Sequence, residues 1–192
     1  MHDPNEFFQS YIGRTQALLA QQDLSGVAEL ASALLETWNS GKRVYLCGNG
    51  GSAANAMHIA NDLLYGVGKG KIPGIKVIAL TADSSILTCL ANDVGYDSVF
   101  SKQLEVLGEP GDVLIALSGS GNSPNILKAL QTAREIRMRT FAILGYSGGK
   151  ALNLADVSVH FAIDDMQIAE DMQLLVGHMV MRWLCMDPPA RG

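Results

Sequence analysis

The sequence predicts an α/β fold, a three-layer doubly wound sandwich around a central five-stranded parallel sheet, with two helices leading into it. Three observations predict this. Five apolar runs, at about 43–47, 75–80, 112–117, 139–144 and 157–162, are mostly unbroken, the pattern of parallel strands covered on both faces. Helical stretches separate them, at about 52–65, 97–107 and 123–137 with a short one near 85–91, so the strands connect by right-handed crossovers. Two of the strands run into glycine- and serine-rich turns at their C-terminal ends, where ligands sit in doubly wound sheets.

Bulk properties bound the function. The 192 residues suit one domain, 1–192. With 48% hydrophobic and 17% charged residues the chain has a sizeable core to bury. A net charge of −5 argues against general nucleic-acid binding, which needs a basic face, and leaves room only for a local basic patch. Cys47, Cys89 and Cys185 are widely spaced in apolar stretches and show no Cys-x-x-Cys pairing, so buried thiols in a reducing compartment are expected. No membrane span or leader is read, and a cytoplasmic location is expected.

In chain order, residues 5–21 form a first helix, with Phe7, Phe8, Tyr11, Ile12, Leu18 and Leu19 as its apolar positions. Residues 25–39 form a second, with Val27, Leu30, Leu34, Leu35 and Trp38 at helical spacing and Gly41 as its stop. Both precede any strand, so residues 1–40 must pack outside the sheet or against another subunit.

The first glycine turn follows. Val44 to Cys47 is a buried strand, and Gly48, Asn49, Gly50 and Gly51 make a turn. Ser52 stands where the helix cap belongs. Unpaired N–H groups and the helix dipole make such a turn an anion site. Residues 66–74 are a glycine-rich loop in which Lys69 and Lys71 either approach an anion or are simply solvated.

The second turn repeats the design. Val113 to Leu117 leads into Ser118, Gly119, Ser120, Gly121, Asn122 and Ser123, and Pro124 opens a helix that Ser123 is placed to cap. Three hydroxyls beside free N–H groups suit a phosphate; the plainer reading is a turn that only caps its helix. The last helix, about 165–185, is apolar around much of its circumference, which suggests a subunit contact beside the core packing. The tail after Cys185 should fray, and neither His2 nor His160 receives a role.

Four polar side chains complete the candidates. His58 and Asp62 are four apart on one helix, and Glu170 and His178 eight apart on the last, so each pair shares a face. A carboxylate–imidazole pair from each of two helices can bind a divalent metal or move protons. The alternatives are a satisfied histidine at 58 and, at Glu170 and Asp171, ordinary acidic residues of a first helical turn.

These residues resemble a known family. Cys47 to Ser52 followed by Ala56-Met57-His58 is similar to the sugar isomerase (SIS) domain of bacterial phosphoheptose isomerases, which act on sedoheptulose 7-phosphate. Asp83, Asn92-Asp93 and Gly95 match a second block, Gly111 to Leu114 and Ser118 to Ser123 the phosphate loop, and Gly148-Gly149 a later turn. The likeness covers nearly the whole chain.

The resemblance implies the SIS fold and a homotetramer with active sites between subunits. It implies a phosphorylated sugar as substrate, phosphate at Ser118, Gly119, Ser120 and Ser123, and Asn49, Gly50, Gly51, Ser52, Asp83, Asn92 and Asp93 as further substrate contacts. It also implies zinc at His58, Asp62, Glu170 and His178, with Asp62 and His178 moving protons. This chain departs from the family at four places. The family Glu is Asp62, its Gln is Glu170, an Arg falls on Gly66, and the Thr of the phosphate loop is Gly119. Asp62 is one methylene shorter and is expected to fall about 1 Å short of its proton. Glu170 adds charge that would strengthen metal binding. The implied activity is aldose–ketose isomerisation through an enediol(ate). The alternative is a non-catalytic phosphosugar sensor or scaffold, such as a replication-initiator-associating protein.

Overall fold

A computed structural model describes residues 3–69, 71–186 and 188. His2 and most of the tail after Cys185 lie outside the described residues. Five parallel strands form one sheet: β1 (Arg43–Cys47), β2 (Lys76–Ala79), β3 (Val113–Ser118), β4 (Arg139–Leu144) and β5 (Val157–His160). Their spatial order is β2-β1-β3-β4-β5. The order reverses direction between β1 and β3, which is the switch point where doubly wound sheets bind ligands.

Strand residues alternate between two cores. Val44, Leu46, Ile115, Leu117, Phe141 and Ile143 face the layer made by α2 (Ser25–Ser40), α3 (Gly51–Asn61) and α8 (Met166–Leu184). Tyr45, Cys47, Leu114, Ala116, Ala142 and Leu144 face the layer that includes α5 (Ser101–Leu107) and α6 (Pro124–Ile136). Both faces are therefore buried, which is why the strands read as continuous apolar runs. Burial also pushes the Cys47 thiol up to about 12, because no counter-charge offsets the cost of a thiolate there.

The two leading helices behave differently. In α2, Val27, Leu30, Ala31, Ala33 and Leu34 are buried in the core, and Gly41 stops the helix in the left-handed conformation at φ 66°. In α1 (Pro4–Ala20) no residue is buried. It is held to α8 by Tyr11, whose hydroxyl donates to Asp171 at 2.5 Å, and by an Arg14–Asp165 ion pair at 2.9 Å.

Three boundaries differ from the expectation. The helix read over 52–65 is α3 followed by a π-helical turn, Asp62–Gly66, where the Val67 N–H bonds the Asp62 carbonyl at 2.9 Å. The helix read over 97–107 is a 3-10 turn, Tyr96–Ser98, and then α5. A one-turn helix, α7 (Ala151–Leu154), adds to the elements read from sequence, while the short helix near 85–91 is α4 (Ser84–Asp93). Among the described residues no helix is long and apolar enough to cross a membrane.

Candidate active site

Both glycine turns leave strands that flank the switch point, β1 and β3, so topology brings them together. Between them lies a cavity of about 270 Å³. Asn49, Gly50, Gly51 and Ser52 line one side, Ser118, Gly119, Ser120 and Ser123 the other, and Met166 and Glu170 of α8 close it.

The first turn differs in detail from its sequence reading. Gly50, not Ser52, is the residue before the helix, and it takes φ 57°, a conformation open to glycine. Ser52 is already helical and buried, and its hydroxyl oxygen accepts from Gln173 Nε2 at 3.0 Å. In the second turn the Ser118 hydroxyl accepts from the Gly121 N–H at 3.0 Å and the Ser120 hydroxyl from the Asn122 N–H at 3.3 Å. Pro124 opens α6 as expected, but the Ser123 hydroxyl makes no cap bond. Its oxygen is left as a donor and acceptor at the cavity wall.

An amide pair ties the two turns together. Asn49 donates to Asn125 Oδ1 at 2.9 Å, and Asn125 donates back to Asn49 Oδ1 at 2.8 Å. The Tyr96 hydroxyl also donates to Asn49 Oδ1, at 2.9 Å. Asn125 is only 1% exposed, so the reciprocal pairing fixes the orientation of both amides.

Helices α3 and α8 lie side by side and are paired along their lengths. A Cβ at Gly51 would collide with the Glu170 carboxylate, lying within 2.5 Å of Oε1. Next, Asn55 donates to Gln173 Oε1 at 3.0 Å and to the Glu170 carbonyl at 2.9 Å. A Cβ at Gly177 would come within 2.7 Å of Ile59. Then Asp62 meets His178, and Gly66 meets Met181. The partners advance together, so the helices run in the same direction.

At the far end of this pair three side chains converge. His58 Nε2 and His178 Nε2 are 2.9 Å apart. Asp62 Oδ2 lies 3.5 Å from the first and 3.6 Å from the second. Two ligands on one zinc ion at tetrahedral angles stand about 3.4 Å apart, given bonds of roughly 2.1 Å. The carboxylate–imidazole spacings fit that edge, whereas the 2.9 Å between the imidazole nitrogens is a hydrogen-bond distance that must widen for both to ligate one ion. With their three ligand atoms within 4.8 Å of one another, His58, Asp62 and His178 could hold a divalent metal after that small adjustment. Asp62 stands beside both imidazoles; its expected shortfall concerns a substrate proton, a different distance.

Glu170 is not in that group. Eight residues on a helix span about 12 Å, so a side chain two turns before His178 faces the other end of α3. Glu170 belongs to the cavity wall instead, whereas three other candidates lie outside that wall. Asp83 caps α4, accepting from the Ser85 hydroxyl at 2.6 Å and from the N–H groups of Ser85 and Ile86. Those bonds, the Ser85 hydroxyl foremost, hold its carboxyl below the usual range. Asn92 donates to Asp93 at 2.8 Å, and both are exposed.

Sequence reasoning missed Asn125, Gln173, Asn55, Tyr96 and Met166. Gln173 carried a signal: it is a polar residue three positions after Glu170 and on the same side of the helix, flanked by Met172 and Leu174. Asn125 sits directly after Pro124 in the second turn, but its partner is 76 positions away, beyond any local pattern.

The departures at Gly119 and Gly66 also have local reasons. A Cβ at Gly119 would press on Met166 Sδ at 2.5 Å, so the methionine fills the space a threonine side chain would take. A Cβ at Gly66 would meet Met181 Cε at 2.8 Å.

Known proteins bear on this geometry. The chain is 42% identical over 174 residues to a protein named phosphoheptose isomerase from Chlorobaculum parvum, an alignment covering 88% of this chain and 82% of that one. The solved phosphoheptose isomerase GmhA from Neisseria gonorrhoeae superposes with a TM-score of 0.87 at 30% identity, covering 95% of this chain and 98% of that one. A phosphoheptose isomerase from Francisella tularensis superposes with a TM-score of 0.88 at 28% identity, covering 95% and 96%. With a match to the SIS domain over residues 6–145, the chain belongs to the SIS domain family, as a homologue of phosphoheptose isomerases.

Proposed function

We propose that this protein is an aldose–ketose phosphosugar isomerase that interconverts sedoheptulose 7-phosphate and D-glycero-D-manno-heptose 7-phosphate. Relatives that bear the phosphoheptose isomerase name over most of the chain support this. The observation that carries the mechanism is the convergence of Asp62 with His58 and His178 on the same helix pair that closes the cavity.

The substrate phosphate binds at the Ser118–Ser123 turn, where a serine-rich loop meets the N-terminus of α6. The chemistry needs a base beside the carbonyl. Asp62 takes a proton from C1 of the ketose, and His178 gives one to the C2 oxygen, forming the enediol. Loss of the O1 proton and delivery of a proton to C2 complete the aldose. Zinc held by His58 Nε2, Asp62 Oδ2 and His178 Nε2 would supply Lewis-acid stabilisation of the developing oxyanion, and the protons would then move at Asp62 Oδ1 and His178 Nδ1, the atoms left off the metal. A pure scaffold has no use for a carboxylate reaching two imidazoles, which favours catalysis over the adaptor reading.

The assembly is a homotetramer with α1 and α8 at its centre and its active sites between subunits. In support, no residue of α1 is fully buried in one chain, and Phe7 and Phe8 are 61% and 58% exposed. An apolar groove lined by Leu24, Val27, Met179 and Trp183 lies between α2 and α8. Three free cysteines suit a cytoplasmic location, although only Cys47 is the buried thiol expected: Cys89 is exposed and Cys185 half-buried. The test is incubation with sedoheptulose 7-phosphate in deuterated water. Aldose product with solvent deuterium on carbon is expected, and neither product nor exchange would sink the isomerase reading.

A further inference from the structure

One charged group in the cavity has no part in the proton steps above: the Glu170 carboxylate. It is half-buried, it stands over Gly51 at the N-terminus of α3, and it lines the same cavity as the Ser118–Ser123 turn. Among the described residues no donor forms a hydrogen bond to it, so its lone pairs are open toward the cavity.

The two glycine turns are alike in backbone design. Each follows a strand at the switch point, and each presents a helix N-terminus. By backbone alone, both would take phosphate. They differ in the nearest charge. Serine hydroxyls furnish the second turn, whereas a carboxylate faces the first. A carboxylate satisfies the helix dipole, accepts hydrogen bonds from hydroxyls, and repels another anion.

We propose that Glu170 is a specificity-determining residue that restricts the cavity to singly phosphorylated sugars. The phosphate goes to the Ser118–Ser123 turn, and the Gly50–Ser52 end takes a neutral, hydroxyl-bearing part of the sugar. A sugar bisphosphate, whose second phosphate would meet Glu170, is rejected. This rests on the isomerase reading for the class of ligand, though not for the chemistry of turnover.

The experiment is calorimetric titration of the full chain, in phosphate-free buffer, with fructose 6-phosphate and fructose 1,6-bisphosphate as probes. The wild type should bind the monophosphate at least tenfold more tightly. Glu170→Gln, which keeps the shape and removes the charge, should shrink that ratio at least tenfold, with bound zinc per chain unchanged. A wild type that binds both probes equally overturns the proposal, and so does a ratio in Glu170→Gln within twofold of the wild type. Loss of zinc from Glu170→Ala also overturns it, since Glu170 would then be a metal ligand; Glu170→Gln, which restores the family residue, does not test this.

If that variant does not fold, the wild type still decides. Raising salt from 50 to 500 mM should narrow its preference, because screening weakens charge repulsion, and an unchanged preference counts against the idea. Turnover of sedoheptulose 7-phosphate by the same preparation separates the two readings. A shifted ratio without turnover upholds Glu170 and removes the isomerase. Turnover with an unshifted ratio does the reverse.

Discussion

The two ends of the α3–α8 pair are built on opposite principles. At the Gly51 end, side chains are buried and locked: Ser52 is 3% exposed, Gln173 1% and Asn55 8%, and each has a defined partner. At the Asp62 end, the His58 and His178 side chains are each 49% exposed, and the helix loosens into a π-helical turn. A π turn widens a helix locally and often marks a functional position. The locked end is fixed in advance of any ligand; the open end leaves its imidazoles accessible to solvent. Substitutions at the two ends should therefore separate in kinetics as well as in size.

The largest effects are expected at the open end. Asp62→Asn and His178→Ala should each lower kcat by about 10²–10⁴, the usual worth of a positioned acid or base, with KM little changed. His58→Ala should release metal. Steady-state rates with elemental analysis of the same samples check this, and unchanged kcat in both variants would remove them from the proton path.

At the locked end Gly51→Ala should show the complementary pattern. The added methyl meets the Glu170 carboxylate, so the helices must part or Glu170 must turn. KM should rise about tenfold, roughly 1.4 kcal/mol of binding, while kcat keeps most of its value. An equal fall in kcat would mean that the two ends are not separable.

Gln173→Leu tests the lock itself. It strips partners from Ser52 and Asn55, both buried, and should cost about 1–3 kcal/mol of stability in urea unfolding.

The smallest effect comes from the start of α8. Asp165 accepts from the N–H groups of Ile168 and Gln167 and pairs with Arg14, and these interactions, the Ile168 bond foremost, depress its pKa. A depressed carboxyl contributes stability above its unfolded pKa of about 3.9 and loses it as pH falls through the folded value. Asp165→Ala should cost about 1 kcal/mol at pH 7, and the difference from wild type should shrink below roughly pH 4. Paired unfolding curves at pH 7 and pH 3 measure it.

How much of this was legible in the sequence follows from the range of each interaction. The strands were readable because burial on both faces leaves a continuous apolar signal, and β1 and β4 fall where they were read. Gly41 and Pro124 declared their helix ends through backbone constraints carried by one residue. Ser52 misled because a serine after glycines suggests a cap, whereas Gly50 takes the positive φ and lets the helix start earlier. The π turn was invisible because Asp62–Gly66 continues a helical composition, and its extra residue shows only in the bonding of Val67. Spacing put His58 and Asp62 on one helical face, but their meeting with His178, 120 positions from His58, was implied by the family resemblance and not by any local pattern. The resemblance also grouped Glu170 with them, and within one chain it stands about 12 Å along α8 from His178.

Helix α8 supplies Met166 and Glu170 to the cavity and His178 to the His58–Asp62–His178 cluster, while its other side fills the core with Ile168, Met172, Val176 and Val180. No ligand at either place can bind a chain whose α8 has lifted away. Occupancy and docking of that helix are therefore one linked equilibrium: a ligand at a hundred times its Kd makes undocking about a hundredfold rarer. The amide protons of α8 become a report on substrate, slowing their exchange with solvent whenever the cavity is filled.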